Sequence, residues 1–179
     1  MRGKTEGFFC ICMTLVLVSV SLMFCPDLFA QPPSPFAAEK LSGHKAPDFS
    51  AKDIQGNQVS LSKYKGNVVI LNFWATWCPP CKVELPSLNR LNQAYKGKGL
   101  VVIGISTDKS TSAVTDFVSK NPLGFPVLID SSLTVSRSYK VFMVPTAFII
   151  DRKGLIVEKF FGEQDWSGAE MIKKIEELL

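Results

Sequence analysis

The stretch VVILNFWATWCPPCKVELP, residues 68–86, decides how this chain is read. Its first seven residues are apolar apart from Asn72, rich in β-branched side chains, and too few for a typical helix. They predict a fully buried strand over 68–74. From Pro79 the spacing turns helical, with Val83, Leu85, Leu88, Leu91 and Tyr95 as the apolar positions of a helix over 79–95. Cys78 therefore follows a buried strand and stands at a helix N-terminus. Unpaired N–H groups and the helix dipole favour an anion there, which lowers the thiol pKa and supplies thiolate near neutral pH. Pro79 and Pro80 fit the first turn, where a missing N–H costs little. Cys81 lies one turn further on the same face and can attack a mixed disulfide formed at Cys78.

Two other readings of the pair are weaker. Zinc usually takes four ligands, and beyond this C-x-x-C the chain offers one histidine, His44, and no cysteine outside the N-terminal segment. A purely structural bridge closing so small a loop would restrict the unfolded chain little. The pair reads best as a redox centre that cycles between dithiol and disulfide.

The 179 residues suffice for one ordinary domain, and 46% hydrophobic with 20% charged residues is globular. The net charge of +4 comes without a Lys/Arg run or interleaved aromatic and basic residues, so nucleic acid is not expected. Arg2 and Lys4 precede an uncharged apolar run, Phe8 to Phe24, followed by Pro26-Asp27 and then Leu28-Phe29-Ala30. That layout predicts a signal peptide over residues 1–30, or an uncleaved membrane anchor, since 17 residues is at the short limit for spanning. Leu22-Met23-Phe24-Cys25 is distantly similar to a lipoprotein signal, but Phe24 stands where a small residue is expected. Cys10, Cys12 and Cys25 all fall in this segment. Residues 31–44, QPPSPFAAEKLSGH, read as an extended linker, and residues 45–179 as the folded domain.

Within that domain, Asp48 to Lys52 and Asn57 to Ser60 predict a hairpin around Gln55-Gly56-Asn57. Leu100 to Ser106 predicts a second buried strand and 111–119 a helix stopped at Asn121-Pro122. Phe125 to Ile129 reads as a short extension and 132–138 as a short helix. Thr146 to Ile150 and Leu155 to Phe161 flank the turn Asp151-Arg152-Lys153-Gly154 as an antiparallel pair. Ser167 with Glu170 forms a capping-box pattern opening a last helix over 167–179. The order predicts an α/β domain, a central mixed sheet with helices on both faces.

Phe73-Trp74-Ala75-Thr76-Trp77-Cys78-Pro79-Pro80-Cys81-Lys82 resembles the thioredoxin active site. Ala46-Pro47-Asp48-Phe49, Gly104-Ile105-Ser106-Thr107-Asp108 and Val144-Pro145-Thr146 resemble the exported, membrane-associated TlpA/ResA branch, which includes the CcmG/DsbE-like proteins. The resemblance spans residues 45–179 and implies a thioredoxin-like fold with an N-terminal β-hairpin extension. It implies a cis peptide at Pro145, lying against the sulfurs, and a partner chain bonded at the Val144 backbone. Trp77 and Pro79 are expected beside the partner, with Trp77 shielding the sulfurs. Trp74 reads equally as core. Pro86 is expected to kink the helix. Asn72 departs from ordinary thioredoxins, which carry a buried aspartate there. Glu84, three residues beyond Cys81, is the expected replacement that takes the Cys81 proton; read from spacing alone it would be a solvated helix carboxylate.

The resemblance implies a thiol–disulfide oxidoreductase that needs no bound cofactor or metal. It would reduce protein disulfides outside the cytoplasm, in the bacterial periplasm or at the outer face of the cytoplasmic membrane. A membrane electron donor would re-reduce it, and apocytochrome c is a candidate substrate. A monomer is expected, touching the membrane only through its N-terminal segment. Three alternatives differ in kind. A dithiol oxidase would run the same chemistry backwards. A peroxiredoxin-like peroxidase would want a threonine where Ala75 stands. A non-catalytic docking module would leave the intact C-x-x-C unexplained.

Overall fold

The computed structural model describes residues 43–179. The segment read as signal peptide or anchor, and all but the last two residues of the linker, lie outside the described residues. Twelve elements follow in order: β1 (Ser50–Lys52), β2 (Gln58–Ser60), a 3-10 turn (Leu61–Tyr64), β3 (Val68–Trp74), α1 (Pro79–Tyr95), β4 (Leu100–Ser106), α2 (Thr111–Lys120), β5 (Val127–Ile129), α3 (Thr134–Ser138), β6 (Thr146–Ile150), β7 (Ile156–Phe161) and α4 (Ala169–Leu178).

The main sheet has the order β5-β4-β3-β6-β7, with β3 at its centre. β3 and β4 are parallel from Val68↔Leu100 to Trp74↔Ser106, and β4 pairs with β5 in parallel. β6 and β7 run antiparallel to their neighbours. The sheet is therefore mixed, and the family's thioredoxin-like architecture is present with its extra hairpin β1–β2.

All seven residues of β3 are buried, which explains why the strand reads as an unbroken apolar run rather than an alternation. Period 2 still sorts its side chains. Val68 and Ile70 join a cluster with Leu85, Leu88 and Leu91 of α1, Val114 of α2 and Ile175 of α4. Val69, Leu71 and Phe73 face the other way, toward Phe148, Tyr139, Val135 of α3 and the residues Ala46, Phe49, Val59 and Leu61 that surround the hairpin. Tyr139 is the hub of that second layer. Its ring centroid lies 5.2 Å from Phe148 and 5.7 Å from Phe73, and its hydroxyl donates to the Pro47 carbonyl at 2.6 Å. Burial pushes this phenol's pKa well above its ordinary value.

Two expectations are corrected. Val83 is exposed. It sits two residues from Leu85, about 200° around a helix of 3.6 residues per turn, so it cannot share Leu85's face. The capping box at Ser167 does not form. The helix starts at Ala169 with Gly168 as its N-cap and no side-chain cap bond. The Ser167 hydroxyl instead donates to Asp165 Oδ1 at 2.7 Å and accepts from the Arg90 guanidinium at 3.1 Å, so its oxygen is engaged away from the helix N–H groups it would have capped.

Candidate active site

The site is built where β3 hands over to α1, at the C-terminal edge of the sheet. Cys78 is the N-cap of α1, in extended backbone, and Pro79 and Pro80 occupy the first two helical positions. The Cys78 sulfur accepts the Cys81 backbone N–H at 3.3 Å, one of the donors a helix N-terminus leaves unpaired. Cys78 and Cys81 are joined by a disulfide of 2.07 Å. Cys81 is fully buried, while Cys78 keeps 3% of its surface in contact with solvent. The attackable sulfur is thus the outer one.

The peptide bond between Val144 and Pro145 is cis. Val144 and Trp77 line one cleft of about 560 Å³, together with Leu133, Phe142 and Met143. Trp77 is 65% exposed and Phe142 87%, so a broad apolar rim adjoins the disulfide. The Val144 N–H and C=O make no backbone hydrogen bond among the described residues. Trp74 belongs to the core, fully buried, with its ring 5.3 Å from that of Phe117.

Glu84 is buried, not solvated. Asn72 Nδ2 donates to its Oε1 at 2.5 Å, and the Gln164 backbone N–H donates to its Oε2 at 3.2 Å. The departure at Asn72 and the acid at Glu84 are therefore one contact, made between the central strand and α1. Glu84 follows Cys81 by three residues, which places the two as neighbours along the helix. Burial pushes the Glu84 pKa up to about 7, although the bonds from Asn72 and Gln164 pull the other way. A carboxyl poised near neutrality both takes and returns a proton readily.

That shift has a consequence for stability. The folded protein holds the Glu84 proton more tightly than the unfolded chain, so ionising it in place costs folding energy. The cost is absent below about pH 4.5, grows as pH rises toward about 7, and is complete above it. At 1.36 kcal/mol per unit it amounts to roughly 3 kcal/mol. Glu84→Gln is expected to remove this slope. In urea unfolding of the oxidised protein, the variant should match the parent near pH 4 and exceed it by up to about 3 kcal/mol near pH 9. Parallel curves across that range would disprove the shift. The Asn72 Oδ1, buried without a partner, can accept from the new amide once the asparagine turns over.

Asp108 is a buried residue beside the site whose contacts spacing did not reveal. It lies at the end of β4 and accepts from the Thr76 backbone N–H at 2.8 Å, the Thr76 hydroxyl at 2.6 Å and the Ser106 hydroxyl at 2.7 Å. It thereby ties the loop carrying Trp77 and Cys78 to the neighbouring strand. The partners are 32 residues apart, and only the parallel register of β3 and β4 brings them together.

A family model described as the AhpC/TSA family matches residues 42–159. The chain is 43% identical over 122 residues to the thiol-disulfide oxidoreductase ResA of Bacillus cereus, covering 68% of this chain and 70% of that protein. It is 31% identical over 178 residues to ResA of Halalkalibacterium halodurans, covering 98% and 97%. Among solved structures, one described as a thiol:disulfide interchange protein DsbE from Chlorobium tepidum superposes with a TM-score of 0.72 at 34% identity, over 76% of this chain and 96% of that one. With a C-x-x-C disulfide at the N-terminus of α1 and a cis proline in the facing loop, the chain belongs to the AhpC/TSA family of thioredoxin-like proteins, among the thiol–disulfide oxidoreductases of the ResA and DsbE type.

Proposed function

We propose that this enzyme works as a reductase of disulfides in exported proteins, tethered or secreted by its N-terminal segment. The observation that carries the reading is the placement of the Cys78–Cys81 disulfide, with Cys78 the less buried of the two and next to Trp77 at an apolar cleft, and Cys81 fully buried one helical turn from the acid Glu84. In the reduced enzyme the Cys78 thiolate attacks a substrate disulfide. One substrate sulfur joins Cys78 and the other leaves as a thiol. Cys81 then loses its proton to Glu84 and attacks the Cys78 sulfur, releasing the second substrate thiol and restoring the enzyme disulfide. Two electrons pass from enzyme to substrate, so a thiol-reducing protein in the membrane must return them. The substrate chain lies along Trp77 and Pro79 and adds a short strand at Val144, against Pro145. Apocytochrome c, whose haem-attachment cysteines must be reduced, is the substrate we favour. The folded domain, 45–179, acts as a monomer in the bacterial periplasm or at the outer face of the cytoplasmic membrane.

The test is the reduction potential of the pair, equilibrated against dithiothreitol or glutathione. A value at or below about −230 mV is expected for a reductase that needs an external electron supply. A value near about −120 mV would make the enzyme an oxidant and overturn the direction of transfer. The peroxidase alternative lacks the threonine it needs, since Ala75 stands there and is fully buried.

A further inference from the structure

We infer that the end of the sheet opposite the disulfide is a docking face for an anionic lipid surface, holding the active site away from the membrane. The inference rests on the tethered form of the reading above. β3 and β4 both begin at this pole and end at the active site. The loops that meet there carry Lys65, then Lys96 and Lys98, then Arg152 and Lys153. The Gly66 N–H donates to the Arg152 carbonyl at 3.1 Å, the Val68 N–H to the Gly99 carbonyl at 2.8 Å, and the Arg152 guanidinium lies over Gly99. Lys45 joins them through its bridge to Leu155, and lines a shallow hollow with Lys65 and Lys153. All six side chains are exposed.

Two carboxylates, Asp48 and Asp151, line the same hollow as Lys45, Lys65 and Lys153 and offset part of that charge. Asp48 accepts the Phe49 and Ser62 N–H groups, and Asp151 those of Lys153 and Leu155. Glu176 accepts the Tyr95 hydroxyl. The ion pairs among the described residues are Lys173–Glu177 and Lys174–Glu158, so none of the six cations has an ion-pair partner among those residues. Residues 1–42 contain three basic and three acidic residues, which leaves the whole +4 of the chain to the described part.

Position adds to charge. The chain from residues 1–42 joins the fold at this pole. The Gly43 N–H donates to the Ile156 carbonyl at 2.7 Å, and the Ile156 N–H to the His44 carbonyl at 2.9 Å. A membrane segment upstream would keep this face within reach of the headgroups across the linker of residues 31–44, and cations that come within about a Debye length of them are attracted. Seven residues of β3, at about 3.3 Å each, would then set the disulfide more than roughly 20 Å from the surface.

The test reconstitutes the full chain in vesicles of phosphatidylcholine, alone or mixed with phosphatidylglycerol, and follows lysine acylation by mass spectrometry. In the anionic vesicles, Lys45, Lys65, Lys96, Lys98 and Lys153 should react at least about threefold more slowly, while Lys82 and Lys109 at the active-site end should be unchanged. High salt, or Lys65→Glu with Lys153→Glu, should restore the rates without altering insulin reduction. Equal acylation in both vesicle types, with the chain retained on them, overturns the docking face alone. Release of the chain from both types overturns the tether and the docking face with it.

Discussion

Cys78→Ser is expected to lower turnover of protein disulfides by at least about a thousandfold, read as insulin reduction with dithiothreitol as electron source. The effect is large because the thiolate, not the thiol, is the nucleophile, and a serine hydroxyl does not ionise at neutral pH. The position adds to this. As N-cap of α1, Cys78 sits at the positive end of the helix dipole and accepts the Cys81 N–H, the donor left free in a first turn that opens with two prolines. The partner substitution, Cys81→Ser, should act differently. It leaves the first attack intact but removes the resolving thiol, so mixed disulfides with substrate should accumulate on non-reducing gels. Substantial insulin reduction by Cys78→Ser would mean that Cys81 or another group attacks first, against the burial of the Cys81 sulfur.

Asp108→Ala carries the second large effect. It removes the acceptor for two hydroxyls and one backbone N–H in a site where Asp108 itself is buried. Bonds to a charged acceptor are worth about 1.5–3 kcal/mol each, and donors left without a partner pay desolvation in addition. The three share one carboxylate and are not additive, so a loss of about 3 kcal/mol is expected in urea unfolding. The kinetic consequence separates a clamp from mere stability. Freed from Asp108, the loop of Thr76 to Cys78 should let the sulfur wander from the helix axis. The thiolate pKa of Cys78, followed by absorbance near the far ultraviolet, should rise toward that of a free thiol at temperatures where the fold is intact. An unchanged thiolate pKa would reduce Asp108 to a structural residue.

Much of this architecture was legible from the chain alone, for a physical reason. β3 and α1 differ sharply in period, and Cys78 with two prolines marks the junction, so both elements were located to the residue. The failures were those of competition and distance. Val83 was apolar in type but lay on the wrong arc of its helix, and the Ser167 oxygen accepts from Arg90 rather than from the helix N–H groups. Asn72 and Glu84 were each noticed, one as a departure and the other as a substitute. That they bond to each other depends on how α1 crosses the strand, which no spacing of 12 residues reports. Asp108 was visible within a resemblance to relatives and silent as chemistry, since its partners arrive through sheet register.

The segment before β3 meets the sheet at both of its outer margins. Asp53 and Ile54 pair with Leu128 and Val127 on β5, and Gly43 to Lys45 pair with the start of β7. An unpaired strand margin is a template on which other polypeptides assemble. An enzyme that handles extended, partly unfolded clients meets that hazard at every encounter. Here the enzyme's own chain covers Val127 and Leu128 of β5 and the start of β7, while Val144 makes no backbone hydrogen bond among the described residues. For the proposed reductase, such cover would act as a filter on geometry, turning clients away from these stretches and toward the sulfurs.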